Sequence, residues 1–193
     1  MNFVARIEQS MRVMAGKKPF PVVNGHVIKP GANLHGSYLW KNDKLVGADL
    51  RRANLSNSLI DEANLTRAKL NKADISNASL KKSILVGADL SGADLTNTRA
   101  RSANFSGADL SGADLQLTDL RGSDFHYAKL GDIRDAFVSG AKVVNGRGRE
   151  IELRNFSDLP SQKAKQAGHF DQWIKRDRTG EGPAAITRPA VKP

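Results

Sequence analysis

The strongest regularity in the chain has a period of five. From Leu45 to Leu130 every fifth residue is Leu, Ile or Phe, with Ala100 as the exception, which makes 18 consecutive positions without an insertion. Two residues before each of them stands a small side chain: Ala in 12 cases and Ser or Thr in five, with Asp43 opening the series. The residue between the two is mostly polar, as in Ala-Asp-Leu at 48–50, 88–90, 93–95, 108–110 and 113–115. A helix needs apolar residues at 3.6 spacing and a strand needs alternation by two, so neither accounts for this pattern. Two inward positions per five-residue unit do. Four units close a square coil, with large side chains along the axis and small ones against the tight sides. Such coils stack through backbone hydrogen bonds at about 4.8 Å per layer, so 18 units predict a rod about 22 Å long. Each buried Leu contributes roughly 1.5–3 kcal/mol, each coil touches only its neighbours, and both ends need caps.

Units such as Ala88-Asp89-Leu90-Ser91-Gly92 and Ala108-Asp109-Leu110-Ser111-Gly112 resemble the pentapeptide-repeat family, whose pattern is Ala-(Asp/Asn)-Leu-x-x. The resemblance covers residues 43–132, with Ala32-Asn33-Leu34 and Ser37-Tyr38-Leu39 as earlier units. It implies an all-β solenoid, a right-handed quadrilateral β-helix, with the Asp residues turned outward to solvent or to backbone. Departures from the pattern carry their own expectations. One extra residue between Leu39 and Leu45 predicts an irregular corner near Trp40–Lys44. Ala100 under-fills the axis and calls for a bulge or a neighbouring side chain such as Phe105. Phe105 and Phe125, 20 residues apart, stack in adjacent coils. After Leu130 the phase breaks, and Ala136-Phe137-Val138 with Ala141-Lys142-Val143 reads as a decayed final turn.

The flanks follow other rules. Residues 2–15 place Phe3, Val4, Ile7, Met11 and Met14 on one helical face, with Gly16 as the stop. Val22-Val23-Asn24-Gly25-His26-Val27 and Val143-Val144-Asn145-Gly146 set Asn-Gly beside β-branched residues, a hairpin signal, and read as strands capping the rod ends. A second helix is expected from about Ser161 to Lys175, with Ala167, Phe170, Trp173 and Ile174 on its apolar side, weakened by Gly168. Beyond Arg178 the composition is that of an extended tail. The expected organisation is residues 1–30 as helix and capping hairpin, 31–144 as β-helix, 145–178 as C-terminal cap and helix, and 179–193 as tail.

The formal charge of +10 raises nucleic-acid binding. Its distribution argues against that use, with +5 in residues 1–42, zero in 43–132 and +5 in 133–193. The chain has no cysteine, so disulfides, thiolate nucleophiles and Cys-based metal sites are excluded. No run approaches the roughly 20 apolar residues of a membrane span, and Arg6, Glu8 and Arg12 interrupt any signal-peptide core; a cytoplasmic protein is expected. His26, His35, His126 and His169 lack ligand spacing. The Gly residues of Ser-Gly-Ala-Asp-Leu recur with the repeat, as turn residues do and a phosphate cradle does not. No catalytic residue, cofactor or metal site is read from the sequence, and an enzyme is not expected.

Twenty-residue spacing places Lys81, Arg101 and Arg121 in one surface ladder, with Lys82 and Arg99 beside them, and Asp74, Asp94 and Asp114 in a neighbouring one. Mutual neutralisation of the two ladders is the favoured reading, an anionic partner the other. Val46, Ile84 and Val86 make an apolar patch that docks the N-terminal helix or marks a protein contact, docking within the chain being the favoured use; the basic helix reads as a cap or a partner contact, with a membrane-surface element as the lesser alternative. The candidate partner-binding residues are Lys81, Lys82, Arg99, Arg101 and Arg121 on the rod and Phe170, Trp173, Arg176 and Arg178 beyond it. The resulting expectation is a non-enzymatic interaction module, a rigid rod docked into a larger assembly by its basic flanks and tail, with a homo-oligomer left open. Two alternatives stand beside it. One is a DNA mimic that binds a topoisomerase, a role the family resemblance implies but one that requires an acidic rod. The other is a basic protein binding nucleic acid or an anionic surface through its flanks.

Overall fold

The computed structural model describes residues 3–130, 136–144 and 150–153. From Ala32 onward the chain winds in stacked coils. The bridges between coils are parallel, and one column runs Asp49 to Lys69 to Asp89 to Asp109 to Lys129, a period of 20. Turns recur every five residues between bridging residues, so each coil has four sides and four corners. A side holds a single bridging residue between corners, which is why the rod is a set of isolated bridges and not of long strands.

All 18 axial positions from Leu45 to Leu130 are buried. The five-residue unit also settles where its backbone N–H groups go, an accounting every buried segment must satisfy. In the unit Ala88 to Gly92, Ala88 N donates to Leu85 O and closes the corner turn. Asp89 N donates backward to Ala68 O, while Leu90 N and Gly92 N donate forward to Asp109 O and Ser111 O. The fifth, Ser91 N, donates to the Asp89 carboxylate at 3.0 Å. Asp or Asn before the axial residue is therefore the acceptor for the one N–H the coils leave over, an Asx turn. The same bond recurs at Asn54, Asn64, Asp74, Asp94, Asn104 and Asp114.

Each corner puts its last residue in the left-handed region, as at Gly92 (φ 64°), Arg52 (57°) and Leu117 (56°). That is the reason Gly and Asn recur there. Where the small inward residue is Ser or Thr, its hydroxyl donates to an axial carbonyl one coil back: Ser58 to Leu34, Thr98 to Ile75, Thr118 to Leu95 and Ser123 to Ala100, each at 2.7 Å. Around Ala100 there is no bulge, because Ser79, Arg99 and Asp119 keep the 20-residue register. Ala100 is fully buried, and so is Phe105, the next axial residue. Phe105 stacks on Phe125 with centroids 5.0 Å apart and planes 5° from parallel.

At the N-terminal end the register is 21, with Asn33 opposite Asn54 and Tyr38 opposite Leu59. The extra residue is absorbed by a 3₁₀ turn at Asp43–Leu45, capped by the Asn42 side chain, which accepts the N–H of Lys44. Helix α1 spans Phe3–Met14. It ends in a Schellman motif, with Gly16 at φ 68° and with Gly16 N donating to Val13 O and Lys17 N to Arg12 O. Strands β1 (Val22–Val23) and β2 (His26–Val27) form a hairpin. Positive φ at both Asn24 and Gly25 makes the type I′ turn that suits strand twist. Val23 and Ile28 join the axial core, and Asn24 Nδ2 donates to Tyr38 O at 2.6 Å, so the hairpin lies against the first coil.

At the other end the register falls to 18, with Asp119 opposite Phe137 and Asp124 opposite Lys142. Ala136, Val138 and Ala141 are buried as the last inward residues. Strand β3 (Ala141–Val144) is thus the final rung and also pairs antiparallel with β4 (Glu150–Leu153). The Asn145-Gly146 connection, the expected helix at 161–175 and the tail lie outside the described residues.

The apolar patch stays open. Val46 and Ile84 remain 50% and 40% exposed, and α1 leaves its own apolar stripe in solvent. The helix is held by its polar flank, so the expected docking of the helix on this patch does not occur.

Candidate functional site

One corner of the rod stacks Lys and Arg in three successive coils. Its first positions are Asp61, Lys81, Arg101 and Arg121 in consecutive coils, and its second positions are Glu62, Lys82, Ser102 and Gly122. Backbone bonds from Lys82 N to Arg101 O and from Ser102 N to Arg121 O set these residues one above another. Arg99 stands on the adjoining side, in the column Leu59, Ser79, Arg99, Asp119. The structure therefore brings Lys81, Lys82, Arg99, Arg101 and Arg121 onto one longitudinal edge. Phe170, Trp173, Arg176 and Arg178 lie outside the described residues.

Neutralisation of this edge is partial and comes from a residue the sequence reading did not single out. Asp119 takes Arg121 Nε at 2.7 Å on one carboxylate oxygen and Arg101 Nε at 2.6 Å on the other. The column Asp74, Asp94, Asp114 takes no part. It lies one side further round, and its oxygens serve the N–H groups of Ser76, Thr96 and Gln116. Asp119 was discoverable as the residue 20 positions after Arg99 and two before Arg121. Glu62 is engaged by Lys41 at 3.3 Å, and Asp61 accepts the backbone N–H of Lys81 at 2.8 Å. The side chains of Lys81, Lys82 and Arg99 have no ion pair among the described residues. The rod is thus neutral in sum and polarised in space, with an acidic column on one side and a cationic edge on another.

The remaining polar groups are built into the coils. Asp49 is held below the usual carboxylate range, first by its hydrogen bonds from Arg51, which is raised in turn. Asp109 is lowered by hydrogen bonds from Ser111 and by Lys129, against a burial effect of the opposite sign. Burial pushes Asp124 up, but bonds from the His126 backbone and ring and from Ser106 outweigh it and the net shift is downward. His26 and His35 face the hydroxyls of Ser37 and Ser56, and His169 lies outside the described residues. Among the described residues no group of three or more His, Asp or Glu is placed to hold a metal ion, and no helix is long and apolar enough to cross a membrane.

The family model for pentapeptide repeats matches in eight copies, over residues 48–87, 58–97 and 101–134. The chain belongs to the pentapeptide repeat family. Solved structures of the family include one from Nostoc Pcc 7120 that is 30% identical, covering 49% of this chain and 84% of its own, with a TM-score of 0.41. Rfr23 from the cyanobacterium Cyanothece 51142 is 22% identical over 72% of this chain and 95% of its own, with a TM-score of 0.44. HetL, a pentapeptide repeat protein involved in heterocyst differentiation regulation in Nostoc sp. Strain PCC 7120, is 28% identical over 62% of each chain, with a TM-score of 0.36. No curated protein matches the chain. Pentapeptide repeat proteins are generally structural or interaction proteins and not enzymes.

Proposed function

We propose that this pentapeptide repeat protein is a non-enzymatic interaction module. Its body is a right-handed quadrilateral β-helical rod, and it docks into a larger assembly through its basic flanks and C-terminal segment and through the cationic edge of the rod. The observation that carries the reading is the imbalance on that edge. Five cations stand over three coils, one carboxylate, Asp119, bridges two of them, and Lys81, Lys82 and Arg99 are left without an ion pair among the described residues. Like charges stacked about 4.8 Å apart repel, so an acidic protein surface laid along the edge relieves a cost the rod carries alone. A rigid solenoid holds such a column at fixed spacing without further ordering on binding, which favours affinity.

The test is affinity purification after nuclease treatment, comparing the full chain, the chain ending at Asp158, and Lys82→Glu/Arg99→Glu in the full chain. Loss of stoichiometric protein partners on charge reversal, at least about tenfold in affinity, with an unchanged circular dichroism spectrum, supports the edge as the contact. Loss on truncation alone assigns the contact to the C-terminal segment. Binding that nuclease abolishes overturns the reading in favour of nucleic acid. A topoisomerase retained by all three proteins overturns it in favour of mimicry.

A further inference from the structure

Helix α1 turns its polar flank toward the body of the protein. Gln9 exchanges two hydrogen bonds with the backbone of Phe20, each at 2.7 Å. The Arg12 guanidinium lies 3.8 Å over the Phe20 ring, its Nε donates to Lys18 O at 2.9 Å, and Glu8 is paired with Lys29. Residues 8, 9 and 12 form one flank of the helix, so the attachment fixes its rotation. The stripe Val4, Ile7, Met11 and Met14, spaced by three and four, is left 69%, 44%, 64% and 86% exposed. Exposing it is costly unless something covers it, and the rod does not.

We propose that α1 is an interfacial anchor that lays this stripe into the headgroup region of an anionic lipid bilayer. Three observations favour a lipid surface over a groove on a protein. First, the four described residues of the exposed stripe are aliphatic or thioether, without the Trp, Tyr or Arg anchors that dominate protein interfaces. Second, cations border it: Arg6, Arg12, Lys17 and Lys18 lie in or just after the helix, and its single acid, Glu8, is already engaged by Lys29. Residues 1–29 carry five Lys or Arg against one Glu, the complement of an anionic surface. Third, an exposed apolar stripe with basic borders on a short helix is the arrangement that lies in the interfacial plane and does not span the membrane. The Gln9–Phe20 bonds and the Glu8–Lys29 pair tie the helix to the segment leading into the first coil, so the anchor is presented without first having to fold.

Flotation with vesicles tests it, using the full chain and either phosphatidylcholine alone or phosphatidylcholine with about a third phosphatidylserine. The chain is expected to float with the anionic vesicles, and to bind at least about tenfold more weakly to phosphatidylcholine or when salt is raised from about 0.1 to 0.5 M. Ile7→Ser/Met11→Ser and Arg6→Gln/Lys17→Gln should each weaken binding at least about tenfold with the helical dichroism retained. Because all four side chains are exposed, these variants should fold, and the charge pair leaves the stripe intact should the apolar pair lower helicity. Lys82→Glu/Arg99→Glu should bind within about twofold of the parent. The proposal fails if the full chain does not float. It fails equally if the edge variant loses binding while the helix variants keep it, or if Ile7→Ser/Met11→Ser dissolves a dimer in sedimentation and leaves flotation unchanged.

Discussion

Ser79 occupies the position where Asp or Asn stands in most units, and it serves that position badly. Its hydroxyl is buried and is the one buried side-chain oxygen without a hydrogen-bond partner among the described residues. The N–H it would have accepted, that of Lys81, goes to Asp61 in the coil behind. A buried polar atom left unpaired costs about 1–3 kcal/mol, more than its removal with retained shape. Ser79→Ala is therefore expected to stabilise the protein by about 1 kcal/mol and raise the melting temperature by about 2–4 °C, measured by thermal dichroism. A lower melting temperature would show that the hydroxyl is satisfied in solution and that the assignment is wrong. At this scale the sequence was legible in pattern and not in cause. The preference for Asp and Asn before the axial residue is visible as a count. Its reason, one N–H per unit that no neighbouring coil accepts, becomes visible only with the backbone in place.

A single coil is the element of this fold, and what it can tolerate depends on the coils on either side. Leu90 lies at the axis with no exposure, and its N–H and that of Asp89 tie the coil forward to Asp109 and backward to Ala68. Leu90→Ala leaves a cavity in the axial stack and is expected to cost about 2–5 kcal/mol, and Leu90→Asp to abolish the folded rod. Chemical denaturation checks the first and loss of the β signal the second. A stable Leu90→Asp protein would refute the axial assignment. The coils were readable because the five-residue period fits neither helix nor strand and because its units resemble the pentapeptide-repeat pattern, which implies the winding. The ends were readable only in part, since registers of 21 and 18 depend on how an inserted 3₁₀ turn and the phase break after Leu130 are absorbed. Ala100 shows the limit from the other side. The missing side chain called for a bulge or a neighbouring side chain such as Phe105, and the bulge is the alternative that the hydrogen-bonded register at Arg99 on both sides excludes. The amphipathic pattern of α1 likewise located an apolar stripe correctly and could not say whether the protein itself would bury it, because the Gln9–Phe20 and Glu8–Lys29 contacts that turn it outward join residues 11 and 21 positions apart.

For the molecule as a whole, the carboxylates that close the coils tie the rod's stability to acid. Asp49, Asp109 and Asp124 are all held below their ordinary range in the fold. A carboxyl whose folded pKa is depressed adds stability that is present above its unfolded value, about 3.9, and is lost as pH falls through the folded value. The melting temperature should accordingly change little between about pH 5 and 8 and fall steadily below about pH 4. These groups are largely solvated, so each contributes modestly, and it is their repetition along the rod that makes the transition visible. Asp109→Asn separates charge from turn geometry. An Asn side chain accepts the same backbone N–H, as Asn104 does from Ser106, while the attraction to Lys129, 3.0 Å away, is removed. The variant should melt slightly lower than the parent at pH 7 and lose less on acidification, so that the two curves converge below about pH 3. Parallel curves would mean that Asp109 has the same proton affinity in the folded and unfolded chains, and the acid sensitivity would then have to come from the other carboxylates of the rod.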